Sequence, residues 1–224
     1  MFSNKKFLEN KLELEEKCEN ENSKIVGLLN KKEIYDESGL IFVFNEDDQT
    51  AGILRTFLSK YDYSIPRSIK YNNDEYLVTI IHENAFVNSN VMNVTFDSNS
   101  ELKKIEKKAF YGTEIIYITI PKHVKYIGKY AFANCNVLIE INFEENSEIE
   151  MIESNAFDES ITSKISIPSS IQTFGKYWCS NTCNLYNVIV EQNEIENVIH
   201  YNKLLITKSI NSDDFDRLIF ASKK

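Results

Sequence analysis

Arginine is scarce in this 224-residue chain, whose only arginines are Arg55, Arg67 and Arg217 and whose formal net charge is −9. The planar guanidinium fork is the side chain that best grips phosphate and reads guanine. A net negative surface also repels nucleic-acid backbones and anionic lipids. We therefore expect no nucleic-acid partner.

Long apolar runs are missing as well. The two longest, residues 25–29 and 40–44, have five residues each, whereas a membrane-spanning helix needs about 20. The stretch 2–21 is rich in Lys, Glu and Asn and lacks the apolar core of an export signal. The sequence predicts no transmembrane segment and no signal peptide in this chain.

Cysteines are few and irregularly spaced. The four of them, Cys18, Cys135, Cys179 and Cys183, do not form the pattern of a disulfide framework. Cys179 and Cys183 could meet across one helical turn, but no Cys-x-x-Cys or His pair lies nearby to complete a metal site. We expect buried or loop thiols and no bound metal.

Motifs for catalysis are equally sparse. The six glycines form neither a Gly-x-Gly-x-x-Gly nor a Walker sequence. The three histidines, at positions 82, 123 and 200, stand neither in His-Glu-x-x-His nor beside a nucleophile. The acidic pairs 47–48, 144–145 and 213–214 fall in expected turns, where carboxylates stay solvated. We expect no enzyme, no catalytic residue and no cofactor.

What the chain does contain is a repeat. Segment 120–132, Ile-Pro-Lys-His-Val-Lys-Tyr-Ile-Gly-Lys-Tyr-Ala-Phe, returns 47 residues later at 167–179 with its Ile, Pro, Gly and Lys positions in register. A second unit, entered through Phe and an acidic residue, lies between the two copies. One aromatic position recurs every 22 to 25 residues, at Phe86, Phe110, Phe132, Phe157 and the position of Cys179. This period lies within the range of leucine-rich repeats.

Each turn has the same apolar spacing. Leu138-x-x-Ile141-x-Phe143 shares its template with residues 115–120, and the period of two in its second half predicts a short strand. Pro121 and Pro168 should end such strands because proline has no N–H to donate. Burying one Phe between turns stabilises by about 1.5–3 kcal/mol, so several turns must stack before any is stable.

Residues 118–135 match at every named position the repeat Ile-x-Ile-Pro-x-x-Val-x-x-Ile-Gly-x-x-Ala-Phe-x-x-Cys. The chain thereby resembles the BspA-like leucine-rich-repeat family over residues 65–190. The resemblance implies surface-antigen-type proteins of bacteria and protozoan parasites that bind host or matrix proteins. The resemblance implies no catalytic residue at any position of this chain.

We predict a mainly β, right-handed leucine-rich-repeat solenoid with short parallel strands and about five single-turn repeats of 22–25 residues, alternating in a 46–47-residue double repeat. Residues 1–38 are predicted to be a polar segment, either a marginal helix or disordered, or else a lid docked on the open end of the solenoid. Residues 39–64 form a strand-rich cap and 65–199 the repeats. Residues 200–224 form a strand pair, or a truncated further repeat, whose exposed edge could mediate self-association.

The candidate protein-binding face is the solvent side of the stacked strands, where the residues that alternate with buried ones project together. It is polar, mixed in charge and carries one aromatic side chain, Tyr117, which we expect to be its anchor if it binds a partner. A merely soluble face is the alternative. Its residues are Asn93, Thr95, Tyr117, Thr119, Glu140, Asn142, Lys164, Ser166, Asn187 and Ile189.

The sequence therefore predicts a non-enzymatic protein-binding module for adhesion or for recognition of a host or matrix protein. The family resemblance implies a cell-surface or secreted location. The missing export signal leaves open an intracellular, cytoplasmic scaffold of the same fold. A hydrolase or metal enzyme hidden in the irregular ends would require a deep pocket that gathers His or Cys with carboxylates.

Overall fold

The computed structural model describes residues 33–182 in full and, beyond them, the backbone of four strands within 187–221. Every regular element in these residues is a β-strand. The predicted tail segment up to residue 32, including its helix or lid, lies outside the described residues. Residues 33–35, which the sequence analysis placed in that segment, form a strand.

Two sheets form opposite walls of the solenoid. Sheet A consists of β1 (Glu33–Tyr35), β2 (Leu40–Asn45), β3 (Thr50–Thr56), β6 (Asp74–Ile81), β8 (Lys104–Ile105), β10 (Tyr126–Ile127), β12 (Met151–Ile152) and β14 (Thr173–Phe174), with β5 (Ser68–Tyr71) paired to β6. Sheet B consists of β4 (Asp62–Ile65), β7 (Asn93–Phe96), β9 (Tyr117–Ile120), β11 (Glu140–Phe143), β13 (Lys164–Ile167) and β15 (Asn187–Val190).

The chain alternates between the two walls. After β7 it crosses to β8, returns to β9, crosses to β10 and so on, so that each full turn adds one strand to each sheet. All pairs in sheet B are parallel, and so are the pairs of sheet A from β3 onward apart from the β5–β6 hairpin. The predicted mainly β solenoid of about five single turns is confirmed.

The two ends of the chain use antiparallel pairing. At the start, β1, β2 and β3 form an antiparallel edge of sheet A, while β4 already belongs to sheet B. At the end, β16 (Val198–Tyr201), β17 (Leu204–Thr207) and β18 (Arg217–Ala221) form a separate three-stranded antiparallel sheet. Self-association through these C-terminal strands stays a prediction.

A ladder of aromatic rings runs through the core. The centroids of Phe86 and Phe110 lie 4.8 Å apart, those of Phe110 and Phe132 5.1 Å, and those of Phe132 and Phe157 5.5 Å, all three pairs being stacked. All four rings are buried. Because each ring fills the gap between two turns, neighbouring turns stabilise one another.

Trp178 ends this ladder, although Cys179 occupies the aromatic position of the last turn, as the repeat predicts. The Phe157 N–H donates to the Trp178 carbonyl as the Phe132 N–H does to that of Ala156, so the backbone register is the expected one. The buried indole nevertheless packs edge-on against Phe157, with centroids 6.2 Å apart, and against Phe174 at 4.8 Å. An indole in the position of a small alanine thus replaces the missing ring.

Each turn also needs two residues in the left-handed backbone region. The first precedes the Ala-Phe pair and the second follows the Phe by two positions. In order along the chain they are Asn84, Lys108, Tyr130, Asn155 and Tyr177 for the first, and Asn88, Gly112, Asn134, Glu159 and Asn181 for the second. Asparagine and glycine dominate the second position because they tolerate positive φ better than other residues.

Glu159 is the exception at the second position, with φ at 54°. We expect Glu159→Asn to raise the free energy of unfolding by about 0.5–1 kcal/mol, because a left-handed conformation costs most L-residues about 1–2 kcal/mol and asparagine less. The measurement is urea denaturation. Glu145→Asn, at an exposed turn position without positive φ, is the control and should change stability by less than about 0.5 kcal/mol. An equal gain for both variants would contradict the backbone explanation.

Candidate protein-binding face

The structure brings the predicted face together. Strand register places Asn93 opposite Tyr117, Tyr117 opposite Glu140, and Glu140 opposite Lys164. Lys164 in turn pairs with Asn187. A second row two residues further along contains Thr119 opposite Asn142 and Ser166 opposite Ile189, and Thr95 lies on β7. The flanking residues Val94, Ile118, Ile141 and Ile165 point inward and are buried.

Sequence reasoning missed the first strand of this face. Asp62 and Ser64 on β4 lie opposite Asn93 and Thr95 and are exposed. The side-chain amide of Asn93 donates to Oδ1 of Asp62 at 2.6 Å. The signal was present, because residues 62–66 read Asp-Tyr-Ser-Ile-Pro, the same alternation before proline as in residues 117–121.

Along this face, fully paired neighbouring strands alternate with neighbouring strands that pair over only one or two residues. The pairs β4–β7, β9–β11 and β13–β15 each match four residues. In contrast, β11–β13 matches two and β7–β9 only one. Incomplete pairing occurs wherever the incoming strand ends in Ile-Pro.

Proline explains the alternation. The N–H of Asp97 donates to the Ile65 carbonyl and that of Glu144 to the Ile120 carbonyl, which closes the far end of each complete pair. Pro121 holds the corresponding place after β9 and has no N–H to donate to Phe96. Strands β7 and β9 therefore separate beyond their first residue pair.

This separation opens a groove with a volume of about 370 Å³. The groove lies between β7 and β9 and is lined by Asn93, Val94, Thr95, Phe96, Tyr117, Ile118, Thr119 and Glu144. Tyr117 stands at its wall with 54% of its surface exposed. The carboxylate of Glu144 accepts a hydrogen bond from the Lys122 N–H at 2.9 Å, which fixes it at the end of the groove.

Charge on the face is largely compensated. Lys164 donates to Glu140 across the incompletely paired strands β11 and β13. The other outward residues from β7 to β13 are uncharged. Apart from the carboxylates of Asp62 and Glu144, the face therefore offers hydroxyl and amide groups and one aromatic ring.

A second groove, of about 360 Å³, lies on the outer side of sheet A beside His82, Lys103 and Lys104. Glu106 links its side chains, accepting from Lys104 Nζ at 3.0 Å and lying 3.2 Å from His82 Nδ1. Burial by itself would raise the pKa of Glu106, but the hydrogen bonds and positive charges of Lys104 and His82 hold it below its usual range. The cluster ties successive turns together and contains no nucleophile positioned by a base.

Cys135 is a structural thiol. It occupies the position that Thr113 and Ser160 hold in neighbouring turns, where the hydroxyl donates to the carbonyl of the phenylalanine three residues earlier. The thiol itself is 3.2 Å from the Phe110 carbonyl, and burial raises its pKa to about 11. Burial also raises the pKa of Cys179. Cys18 and Cys183 lie outside the described residues.

Residues 33–182 and the four later strands contain neither a cluster of metal-binding side chains nor a membrane-spanning helix. Within them no three His, Cys, Asp or Glu side chains come close enough to hold a metal ion. In this same part of the chain no helix has the length and apolar character to cross a membrane.

The repeat also matches a family profile. The profile of the BspA type leucine rich repeat region matches residues 63–186 and 103–217, with six copies. The chain belongs to this family. Its match begins at Tyr63 in β4, consistent with the placement of that strand in sheet B.

Two solved structures show the same fold. The pneumococcal vaccine antigen PcpA aligns with a TM-score of 0.64 and 21% identity, over 80% of this chain and 54% of that protein. A leucine-rich repeat protein from Bacteroides ovatus aligns with a TM-score of 0.56 and 24% identity, over 69% of this chain and 40% of its own. The BspA-type chain thus spans about half of these relatives or less. No curated protein sequence matches it significantly. Leucine-rich repeats are typically interaction modules without catalytic activity.

Proposed function

We propose that this BspA-type chain is a non-enzymatic adhesion module that recognises a host or matrix protein through the outward face of sheet B. The observation that carries the proposal is the groove between β7 and β9, which has a mixed polar and apolar lining and the exposed ring of Tyr117 at its wall. Tyrosine is among the side chains that most often supply a large share of the binding energy of protein interfaces. The fold shared with PcpA, a vaccine antigen, supports a surface role.

The anchor is tested by Tyr117→Ala. Binding of the full chain to a panel of purified matrix and plasma proteins is measured by surface plasmon resonance. For any protein that binds, we expect Tyr117→Ala to weaken the affinity at least tenfold, about 1.4 kcal/mol or more, because the ring supplies the central contact. The matched control is Tyr177→Ala, which removes a ring that is 71% exposed but lies outside the face. Equal affinities for the two variants would refute Tyr117 as the anchor.

Location is tested on intact source cells with a membrane-impermeant labelling reagent. A labelled chain is the result expected for an adhesion module. An abundant but unlabelled chain would favour instead an intracellular scaffold that uses the same face.

A further inference from the structure

A bulge interrupts the pairing of β3 with β6. The register shifts between Ala51 and Gly52, which lie opposite Val78 and Ile80, so that Thr79 has no opposite residue on β3. An extra residue of this kind disrupts the hydrogen-bond ladder and bends its strand. The second groove, of about 360 Å³, lies at this bulge and is lined in part by Thr79.

Thr79 is a buried polar residue whose side chain has no polar partner. The residue is only 5% exposed, and its hydroxyl forms no hydrogen bond within the part of the chain that the structure describes. The buried hydroxyls of Thr113 and Ser160, in contrast, donate to backbone carbonyls at 2.9 and 2.8 Å. Because buried hydroxyls are normally bonded, the Thr79 hydroxyl is available to a ligand in the groove.

Lys103 supplies a free positive charge to the same groove. Glu106 already compensates the two other cationic side chains of the lining, Lys104 at 3.0 Å and His82 at 3.2 Å. Lys103 is exposed, and its ammonium group has no acidic partner among residues 33–182. An anionic group in the groove can therefore bond with Lys103 without breaking an ion pair.

The β2–β3 hairpin forms the opposite side of the groove. Asp48 accepts hydrogen bonds from the N–H and the hydroxyl of Thr50 through Oδ1, at 3.2 and 2.6 Å, which fixes the carboxylate and leaves Oδ2 as an acceptor. Val43 and Ile80 add apolar surface to the lining. Neighbouring strands are about 4.8 Å apart, so the groove spans about 14 Å from β2 across β3 and β6 to β8. This width admits a ring with polar groups at both ends.

We propose that this groove binds a sugar acid, a cyclic carboxylate with several hydroxyl groups. The ligand carboxylate pairs with the Lys103 ammonium, one ligand hydroxyl bonds with Thr79, and another donates to Asp48. A neutral sugar would leave Lys103 unused, and a simple carboxylate would leave Thr79 and Asp48 unused. The site is independent of the proposed adhesion function, since it lies on sheet A, the wall opposite the face that contains Tyr117.

The test is an amide chemical-shift titration of the isotope-labelled full chain with sodium D-glucuronate at constant ionic strength. We expect saturating shifts at the Thr79 and Lys103 amides, with a Kd on the order of 1 mM. D-glucose and butyrate should each bind about fivefold more weakly or less, because each lacks one of the two functional groups. Absence of saturating shifts at the groove, or equal affinities for glucuronate and butyrate, would overturn the proposal.

Methyl glucuronide distinguishes the two sources of such a ligand. Binding as tight as that of glucuronate would assign the groove to a terminal sugar acid of a glycan. A loss of about tenfold or more would assign it to the free sugar acid, because the blocked hydroxyl then has no room.

Lys103→Met should weaken glucuronate binding about fivefold or more. Its matched control is Lys70→Met, which changes an exposed lysine on β5 outside the groove and should leave the affinity within about twofold. Thr79→Val should also weaken binding about fivefold, without lowering the Tm, because the hydroxyl has no partner in the free protein. Thr79→Ser keeps the hydroxyl and should bind within about threefold of the unmodified chain. Unchanged affinity in Lys103→Met and Thr79→Val, or a Tm lowered by Thr79→Val, would count against the site.

Discussion

Replacing Phe132 with alanine is expected to lower the free energy of unfolding by about 3–5 kcal/mol. The ring is fully buried and is stacked between Phe110 and Phe157, at centroid distances of 5.1 and 5.5 Å. Its removal therefore opens a cavity between turns that the backbone cannot close, because the flanking strands are held in both sheets. Equilibrium denaturation in urea measures the loss.

Tyr177→Ala is the matched control for Phe132→Ala. It also removes an aromatic ring, but that ring is 71% exposed, so stability should change by less than about 0.5 kcal/mol. Phe132→Leu should fall between the two because leucine fills part of the gap. Similar losses for Phe132→Ala and Tyr177→Ala would show that the aromatic ladder does not hold the turns together.

Replacing Gly128 with alanine is expected to cost about 3 kcal/mol, at the upper end of the range for overpacked sites. A Cβ at this position would lie 2.6 Å from the Lys107 backbone nitrogen and 2.7 Å from the Glu106 carbonyl carbon. Both atoms belong to the main chain of the preceding turn, and the Gly128 N–H is itself bonded to the Ile105 carbonyl at 2.8 Å. The two turns must therefore move apart to admit the methyl group. Thermal unfolding of the full chain measures the effect.

The control for Gly128→Ala is the equivalent position of the next turn. Glu153→Ala keeps a Cβ that is already accommodated and removes only the acceptor for the Tyr126 hydroxyl, which lies 3.2 Å away. A loss of about 1 kcal/mol or less is expected. If Gly128→Ala were as stable as Glu153→Ala, close approach of the turns would not explain the glycine.

Proline positions show how far a sequence prediction of this fold extends. The absence of an N–H at Pro121 and Pro168 predicts where strands β9 and β13 end, and they end at Ile120 and Ile167. Whether the neighbouring strand of the preceding turn then separates from the strand before the proline depends on which backbone carbonyl lies opposite the proline in the sheet. That partner, the Phe96 carbonyl for Pro121, follows only from the stacking of complete turns.

The two ends of the repeat were harder to predict. Asp62 and Ser64 were assigned to a cap although they begin sheet B, because a single strand with no preceding repeat gives no period to recognise. Trp178 stands where the earlier turns have alanine, and Cys179 takes the place of the phenylalanine, so the repeat by itself predicts no ring here. Only packing against Phe157 and Phe174 shows that Trp178 continues the ladder.

The sequence by itself determined the period, the buried positions and the strands whose outward residues form the candidate face, because a repeat records the same local choices in each turn. The tertiary structure decided what depends on neighbouring turns. It set which strands pair completely and where the groove beside Tyr117 opens. These features arise from contacts between residues more than 20 positions apart, whose distances only the stacked chain fixes.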